Sequence, residues 1–449
     1  MIRRCSSGPL RSPVMLSPVV LSAAMLTGVP VLAMVPMKAV AQTTMQELNE
    51  LKAQIELLKQ QQQAAMALVE QQQAQIDSLI SQQSHMQHEV AEVSDSVVMR
   101  TDDGDFLVGE TTVAIGGYIK AQAAFSDNGL SDGKANETVT AGLLRATDDD
   151  KDNRVSLSAR ETRFNIGTST PVGGDTMNTF IEMDFYGADD EANEFVSNSY
   201  APRLRHAYLS WGNWLAGQTW STFMDVKGLG ELDAFSTHTG SIFVRQPQLR
   251  YTYPLDWGNL QFAVENPEDG DDDQDTPDMV ARVNVDQDWG HVSAATVVRR
   301  FSLDDAEDDD SRWGAGYSLT GRFPVFEKDD LMLQANYGNL GRYMALGAYP
   351  NAKVEDGQLK MVESWGASAI YRHYWTDTLR SSVAYSATEL DSHGSGNDTD
   401  SYDSVFLNLM WSPFANTTLS AEYQRYDLDE VDGDTFDLDR VQLSAKYDF

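Results

Sequence analysis

The chain has 449 residues, enough for two or three average domains or for one long barrel. Its formal net charge of −35 argues against nucleic acid as a partner and against a globally basic surface. Cys5 is the single cysteine, so a chain that has lost its first residues can form neither disulfides nor thiolate metal sites.

Residues 1–41 have the composition of a secretory signal peptide. They carry four basic residues and no acid, an apolar stretch over residues 14–28, and the small-residue sequence Ala39-Val40-Ala41 before Gln42. Cleavage is therefore expected after Ala41. The alternative is an uncleaved membrane anchor, which fits less well with the interrupting prolines Pro18, Pro30 and Pro36.

Residues 42–100 contain no glycine, proline or aromatic residue and predict a long helix. Alternate steps of three and four residues from Leu48 to Val97 meet apolar or alanine side chains throughout, except at Gln62, Gln72 and Gln83. A heptad frame held this long indicates a coiled coil on the order of 75 Å in length. Because a single such helix has nothing to bury against, we expect an oligomer, and the frame leaves two or three strands open.

From about residue 111 the pattern changes to alternation of apolar and polar residues, which is the period of a β-strand. The last nine residues are the clearest case, with one apolar face formed by Val441, Leu443, Ala445, Tyr447 and Phe449. Repeated segments of about ten residues with this alternation are the signature of a transmembrane β-barrel. The predicted domains are a signal peptide at 1–41, a coiled coil at 42–100, a linker at 101–110 and a barrel at 111–449.

Short and long connections alternate along the predicted barrel. Short turns are expected at 171–175, 255–259, 288–290, 324–329, 375–378 and 413–416. Longer, mostly acidic loops are expected at 127–153, 187–199, 224–241, 267–277, 304–310, 342–358, 391–400 and 429–435. Eight long loops imply eight hairpins, hence an all-β barrel of about 16 antiparallel strands with an aqueous channel.

Six short stretches in the barrel region form a series in chain order. They are Ile115-Gly-Gly-Tyr-Ile-Lys120, Ser158-Ala-Arg-Glu-Thr-Arg-Phe164, Glu182-Met-Asp-Phe-Tyr-Gly187, Arg203-Leu-Arg-His-Ala-Tyr208, Ala216-Gly-Gln-Thr-Trp-Ser-Thr-Phe223 and Arg245-Gln-Pro-Gln-Leu-Arg-Tyr251. With the preceding signal and coiled coil, they resemble the DcaP-like outer-membrane porins.

This resemblance implies a homotrimeric porin in the outer membrane of a Gram-negative bacterium. It implies uptake of small anionic compounds such as dicarboxylates, and coiled coils that trimerise in the periplasm. The terminal Phe449 is similar to the signal that the barrel-assembly machinery reads. No cofactor and no catalytic or metal site is expected.

Cationic residues of the first half of the barrel are the candidates for lining a channel. An arginine that faces lipid at mid-membrane costs about 2–4 kcal/mol, so most of them are expected to face the lumen. The predicted pore-lining set is Lys120, Arg160, Arg163, Arg203, Arg205, Arg245, Arg250, Glu182 and Asp184.

Strand alternation supports some of these positions directly. Arg250 has the inward parity, and Arg160 shares it if Leu157 faces lipid. Arg163 points outward unless a β-bulge near residues 161–162 resets the register. A guanidinium ladder of this kind binds carboxylates in bidentate fashion.

Parity alone does not assign a direction to the other arginines of the set. Arg245 needs a register reset at Pro247, while Arg203 and Arg205 share the parity of Leu209, so their direction stays open. The alternative reading of the whole group is a salt-bridge network that stiffens the wall.

The loop at 224–241 is the candidate for an inward-folded constriction, because it contains three glycines and follows a stretch that resembles the porin family. An ordinary surface or subunit-contact loop is the alternative. The acidic runs at 269–275 and 304–310 lack the spacing of a calcium site and are interpreted as solvated loops.

Two other functions are compatible with the residue pattern. The first is a structural protein that tethers the envelope through its periplasmic coiled coil. The second is an outer-membrane hydrolase with His206 or His238 close to Ser210 or Ser221, although chain order gives no triad geometry.

Overall fold

A computed structural model describes residues 37–94, 99–100, 105–127, 139–145, 153–187, 200–235, 238–267, 276–302, 311–344, 349–355, 358–391 and 399–449. The chain divides into two compact units, one ending at Glu92 and one beginning at Val93. Residues 1–36 of the predicted signal peptide and the acidic runs at 269–275 and 304–310 lie outside the described residues.

Helix α1, Met37–Ser94, ends two residues beyond the boundary of the first unit and confirms a long helix in this region. Its seam leucines are exposed among the described residues, with Leu51 at 56% and Leu58 at 62%. The coiled coil therefore stays a prediction. The helix ends before the predicted boundary at 100, since Met99–Arg100 forms a strand. No helix in the described part of the chain is long and apolar enough to span a membrane.

The second unit is a closed antiparallel barrel of sixteen strands. The strands are β1 Thr111–Ser126, β2 in two segments Arg154–Ser158 and Arg163–Val172, β3 Asp175–Asp184, β4 Arg203–Trp211, β5 Trp214–Trp220, β6 Arg245–Leu255, β7 Gly258–Glu265, β8 Asp278–Gln287, β9 Gly290–Ser302, β10 Ser311–Val325, β11 Asp329–Gly338, β12 Ser364–Tyr374, β13 Leu379–Leu390, β14 Thr399–Trp411, β15 Thr417–Glu430 and β16 Thr435–Asp448. Each pairs with the next, and β16 returns to β1 with Lys446 opposite Lys120. The predicted strand number is confirmed.

The predicted linker at 101–110 is partly strand, which corrects that boundary. Phe106–Val108 pairs with the first residues of β1 and also with Met99–Arg100. The physical reason is an open sheet edge: β16 ends opposite Tyr118, so the N-terminal part of β1 has free backbone groups on that side. The short strand satisfies them.

The two rims of the barrel differ as predicted. Seven turns of two to five residues lie at one rim, and eight connections lie at the other, all of them longer except the last at residues 431–434. The turn at 212–213, between β4 and β5, was not predicted from the sequence. It needs only two residues because Gly212 adopts a φ of +54°, a conformation that residues with a Cβ rarely take. Two further short elements, the helix Ala141–Arg145 and the hairpin of Ala352–Glu355 with Gln358–Met361, lie in long connections.

The two faces of the sheet have opposite character. On β15, Leu419 and Tyr423 are each 38% exposed on the outside, while Ser420, Glu422 and Gln424 are buried on the inside. Exposed tryptophans mark the rim with the short turns, at Trp211, Trp214, Trp257, Trp289, Trp375 and Trp411. Aromatic girdles of this kind mark a membrane interface, and the apolar outer face between the rims is the lipid-facing band.

Replacement of Leu407 by arginine tests this assignment of faces. Leu407 is 54% exposed on the outer face, four residues from Trp411 at the rim. We expect Leu407→Arg to lower the free energy of unfolding in lipid vesicles by about 2–4 kcal/mol, measured by urea titration. The matched Leu407→Met variant should change it by less than about 1.5 kcal/mol. Equal stability of the two variants would contradict a lipid-facing position.

Candidate functional site

The connection between β5 and β6, residues 221–244, runs through the interior of the barrel. It is described except for residues 236–237. Along its course it contacts β9 through Asp225, β12 and β13 through Glu231, and β1 through Asp233. These contacts confirm the prediction that the loop at 224–241 folds inward. We call residues 221–244 the constriction loop.

A buried carboxylate holds the base of the constriction loop. Glu265 on β7 accepts hydrogen bonds from the Ser221 hydroxyl at 2.7 Å and from the Thr222 backbone N–H at 2.6 Å. The Gln246 side chain donates to the same carboxylate. The Ser221 N–H bonds to the Val244 carbonyl at 3.0 Å, which brings the two ends of the loop together.

The first arm of the loop is fixed to β8 and β9 by a histidine between two acids. His291 lies 2.6 Å from Asp225 of the loop and 2.8 Å from Asp286 of the wall. Burial alone raises the pKa of Asp225, but the hydrogen bond from His291 and the charge of Arg282 outweigh it and leave that pKa well below its usual range. Asp225 thus stays ionised, and Lys227 pairs with Asp286 beside it.

Asp233 fixes the loop to β1 and β16. Its carboxylate lies 3.3 Å from the Lys120 ammonium and accepts hydrogen bonds from Ser444 at 2.6 Å and Gln442 at 2.9 Å. Lys120 is 4% exposed and also pairs with Glu161 at 2.6 Å. Its contacts make this predicted pore-lining residue an anchor of the constriction loop.

Glu422 on β15 holds the backbone at the same place. It accepts the N–H groups of Asp233 at 2.6 Å and Ala234 at 2.8 Å. Two consecutive backbone donors on one buried carboxylate fix the chain direction here, independently of the Asp233 side chain.

Glu231, between these anchors, binds two arginines of the far wall. Arg380 on β13 donates from Nε at 2.7 Å and from Nη2, and Arg372 on β12 donates from Nη1 at 3.1 Å. Burial by itself raises the pKa of Glu231, but the hydrogen bonds and charges of Arg380 and Arg372 lower it overall. Glu231 is therefore ionised at neutral pH.

Glycines let the loop lie flat against the wall. A Cβ on Gly230 would meet the Ile370 side chain at 2.7 Å, and one on Gly240 would meet the Ala387 carbonyl at 2.8 Å. The returning arm is held by Thr239, whose backbone N–H donates to Ser404 at 3.1 Å. The constriction loop thus follows the inner wall from β9 round to β1.

The space left beside the loop is a cavity of about 330 Å³. Its charged lining contains more cations than acids. The five cations are Lys120, Arg163, Arg205, Arg380 and Lys446. The three acids are Glu161, Glu231 and Asp233. Aromatic rings of Tyr118, Trp220, Phe235 and Phe243 complete the lining.

Arg163 has a longer ion-pair distance than Arg203 or Arg205. Leu157 and Phe164 are 78% and 44% exposed, so the outward parity changes between them and Arg163 points inward, as the predicted bulge requires. Its Nη1 lies 3.9 Å from Glu182, and its Nε has no hydrogen-bond partner among the described residues. The guanidinium also lies over the Tyr118 ring at 5.2 Å.

The open direction of Arg203 and Arg205 is decided by a bulge. Strand pairing between β3 and β4 shifts register at Glu182, and both side chains face inward. Arg205 is 2% exposed and pairs with Glu182 at 2.6 Å and Asp184 at 2.8 Å. Arg203 pairs with Asp184 at 2.7 Å. These contacts are the ones expected of a salt-bridge network that stiffens the wall, and they include Arg203, Arg205, Glu182 and Asp184.

The other three predicted arginines lie outside the cavity lining. Arg160 lies 4.3 Å from the ring centre of Tyr200, and Arg245 lies 4.5 Å from that of Trp220. Arg250 is on the inward face of β6, as its parity predicts, with no hydrogen-bond partner for Nε among the described residues.

Three cations of the second half were not predicted as site residues. Arg372, Arg380 and Lys446 lie on β12, β13 and β16. Parity could have found them, because each alternates with outward residues such as Tyr371, Leu379 or Tyr447. Their proximity to Arg163 depends on barrel closure, which parity does not report.

The histidines considered for catalysis have other partners. His206 Nδ1 lies 3.0 Å from the Thr219 hydroxyl rather than from a serine. His238 is buried, and burial lowers its pKa to about 4, so it adds no charge to the loop.

A closed sixteen-stranded barrel with a wet interior, narrowed by an inward loop, defines the porin class of outer-membrane channels. Residues 48–449 match the DcaP outer membrane protein family, and the chain belongs to it. Its place in the outer membrane and its assignment as a channel rather than an enzyme follow from this family.

Solved structures of other porins share the fold. The DcaP channel of Acinetobacter baumannii has a TM-score of 0.68 and 24% identity, covering 79% of this chain and all of that one. An anion-selective porin from Comamonas acidovorans has a TM-score of 0.52 and 12% identity over 76% of this chain and all of its own. OmpT of Vibrio cholerae gives 0.52 and 14% over 79% of this chain and all of its own. None of the curated proteins matches the sequence.

The close contact at Gly230 predicts a change in channel width. Gly230→Ala should push the constriction loop off Ile370 and toward the cavity, lowering single-channel conductance in planar bilayers. Adding Ile370→Ala should restore it, because the obstructing side chain is then gone. Gly142→Ala is the control, since a Cβ there meets nothing within 4 Å. Unchanged conductance in the single variant would contradict the tight seating of the loop.

Proposed function

We propose that this porin prefers small anionic solutes, dicarboxylates among them. The observation that carries the proposal is the cationic excess around the cavity at the constriction loop. In a narrow lumen bounded by low-dielectric walls, a net positive lining raises the local concentration of anions and repels cations.

Arg163 is the residue proposed for direct solute contact. Its side chain is 23% exposed, and the 3.9 Å between its Nη1 and Glu182 is longer than a hydrogen bond. A carboxylate in the cavity competes with Glu182 for the Nη groups of Arg163. Guanidinium groups bind carboxylates through two parallel hydrogen bonds, which makes Arg163 a better contact than a buried lysine such as Lys120.

A solute with two carboxylates suits the distribution of the cations. Arg163 belongs to β2, whereas Arg380 and Lys446 belong to β13 and β16 on other parts of the wall. A dicarboxylate is expected to contact cations from two sides of the cavity in turn. The pore-lining roles of Arg160, Arg203, Arg245 and Arg250 are proposed as weaker, through their positive field near the channel.

The assembly is proposed to be a homotrimer with its coiled coils in the periplasm, after removal of residues 1–41. The support is the apolar seam of α1, which has exposed leucines and isoleucines along its length. Phe449 is the proposed signal for the barrel-assembly machinery. Its N–H bonds to the Gly117 carbonyl at 3.1 Å, at the seam where the barrel closes.

Selectivity measurements test the role of Arg163. Arg163→Gln should shift the reversal potential under a potassium chloride gradient toward lower anion preference. Arg425→Gln removes the same charge from the outer face, where Arg425 pairs with Asp427 and Asp439, and should leave the potential unchanged. An equal shift in both variants, or none in Arg163→Gln, would remove the claim for Arg163.

An envelope tether is the second candidate, favoured by the 58 residues of helix that precede the barrel. Deletion of residues 42–94 separates the two functions. For a porin, we expect uptake of dicarboxylates by intact cells to persist per folded barrel. A tether would instead show loss of envelope integrity, measured as leakage of periplasmic protein, with little change in uptake.

A further inference from the structure

Two arginines bind the Glu231 carboxylate in a geometry that is common in binding sites for ligand carboxylates. Arg380 approaches its carboxylate side-on with Nε and Nη2, and Arg372 adds Nη1 from the next strand. Two guanidinium groups converging on one carboxylate form the fork that binds carboxylates bidentately. The difference here is that the carboxylate belongs to the constriction loop.

The fork opens onto the lumen. Glu231 and Arg380 both line the cavity beside the constriction loop. The side chains of Glu231, Arg372 and Arg380 are 30%, 17% and 15% exposed, so solvent reaches each of them. A fully buried structural ion pair, such as Arg299 with Asp278, shows 0% exposure for both partners.

The fork and the side chains that contact it carry one more positive charge than negative charges. Arg372 also donates to Asp330, which in turn accepts from Arg322 at 3.1 Å. This chain of contacts contains the guanidinium groups of Arg322, Arg372 and Arg380 and the carboxylates of Asp330 and Glu231. Three cations share two acids, so the network attracts a further anion.

We propose that Arg372 and Arg380 form an anion subsite for solute carboxylates, and that Glu231 is its internal occupant. This inference rests on the proposed anion channel and adds a regulator of affinity to it. A solute carboxylate displaces Glu231 and takes the same hydrogen bonds, so the guanidinium groups are never left unpaired. The displaced Glu231 turns into the water-filled cavity.

Competition of this kind suits a channel. Conduction requires binding that favours entry but is weak enough to allow exit. An empty two-arginine fork would bind a carboxylate tightly. When Glu231 already occupies the fork, most of the binding free energy of the solute is offset by the loss of the Glu231 contacts. The loop acid therefore keeps solute residence short. Its lowered pKa keeps it ionised and competitive at neutral pH.

The loop does not depend on the Glu231 side chain for its position. Asn408 Nδ2 donates to the Glu231 main-chain carbonyl at 2.9 Å, a contact that survives side-chain replacement. Asp225 with His291 and Asp233 with Lys120 hold the neighbouring segments. A Glu231→Ala variant is therefore expected to fold with the constriction loop in place.

Acetate binding to Glu231→Ala tests the proposal in the full chain. The single-channel conductance is recorded against acetate concentration at constant ionic strength. We expect saturation at an acetate concentration at least tenfold lower than for the unmodified protein, because the vacated fork accepts acetate. The thermal unfolding temperature of the variant should also rise with acetate, which is a readout of occupancy that does not depend on conduction.

Two controls separate the fork from a simple change of charge. Glu389→Ala removes an acid from the outer face, where it contacts Trp365, and should leave the acetate dependence unchanged. Glu231→Ala combined with Arg380→Ala removes half of the fork and should abolish the new saturation. Saturation retained in this double variant, or absent from Glu231→Ala, would overturn the subsite.

The reversal potential of the unmodified protein tests the proposed function separately. A potential without anion preference, together with acetate saturation in Glu231→Ala, would contradict the anion channel but support the subsite. Anion preference without acetate saturation in the variant would support the channel and overturn the subsite.

Discussion

The rest of this structure depends on closure of the sheet. Inside a membrane, no water is present to pair with backbone N–H and C=O groups, so a sheet that ends in two open edges is not viable there. Pairing of β16 with β1 removes both edges over the length that β16 covers. Where β16 ends, Phe106–Val108 continues the pairing along β1. Closure then separates an apolar outer face from a polar interior.

Closure also gives the constriction loop its partners. Residues 221–244 leave the wall at β5 and return at β6, yet they contact strands on the far side of the barrel. Each acid of this loop binds a different group of the wall: Asp225 binds His291, Glu231 binds two arginines, and Asp233 binds Lys120. The loop therefore carries its own negative charges into the lumen and neutralises part of the wall.

What remains positive after that neutralisation decides the character of the cavity. Lys120 and Arg205 are held in ion pairs that stiffen the wall, and both are nearly buried. Arg163 has the longest pairing distance of these three residues, and its side chain is 23% exposed. Cationic side chains thus have two roles in this barrel. Those that are nearly buried stiffen the wall, whereas a more exposed one such as Arg163 remains accessible from the lumen.

Strand number, face assignment and the alternation of turns with loops could be predicted because they depend on local order in the sequence. The inward loop was predictable from its length and glycines. The bulges that turn Arg163 and Arg205 inward shift parity by one residue and leave only a weak trace in the sequence. The part played by Arg380 was not predictable, because its partner Glu231 lies 149 residues earlier in the chain.

The sequence by itself determined the order of helix and barrel and which residues face lipid, because hydrophobic periodicity acts over neighbouring residues. Only the tertiary structure decided which charges meet. Ion pairs across the lumen depend on closure, strand tilt and the path of one loop, and these bring together residues that no local pattern relates.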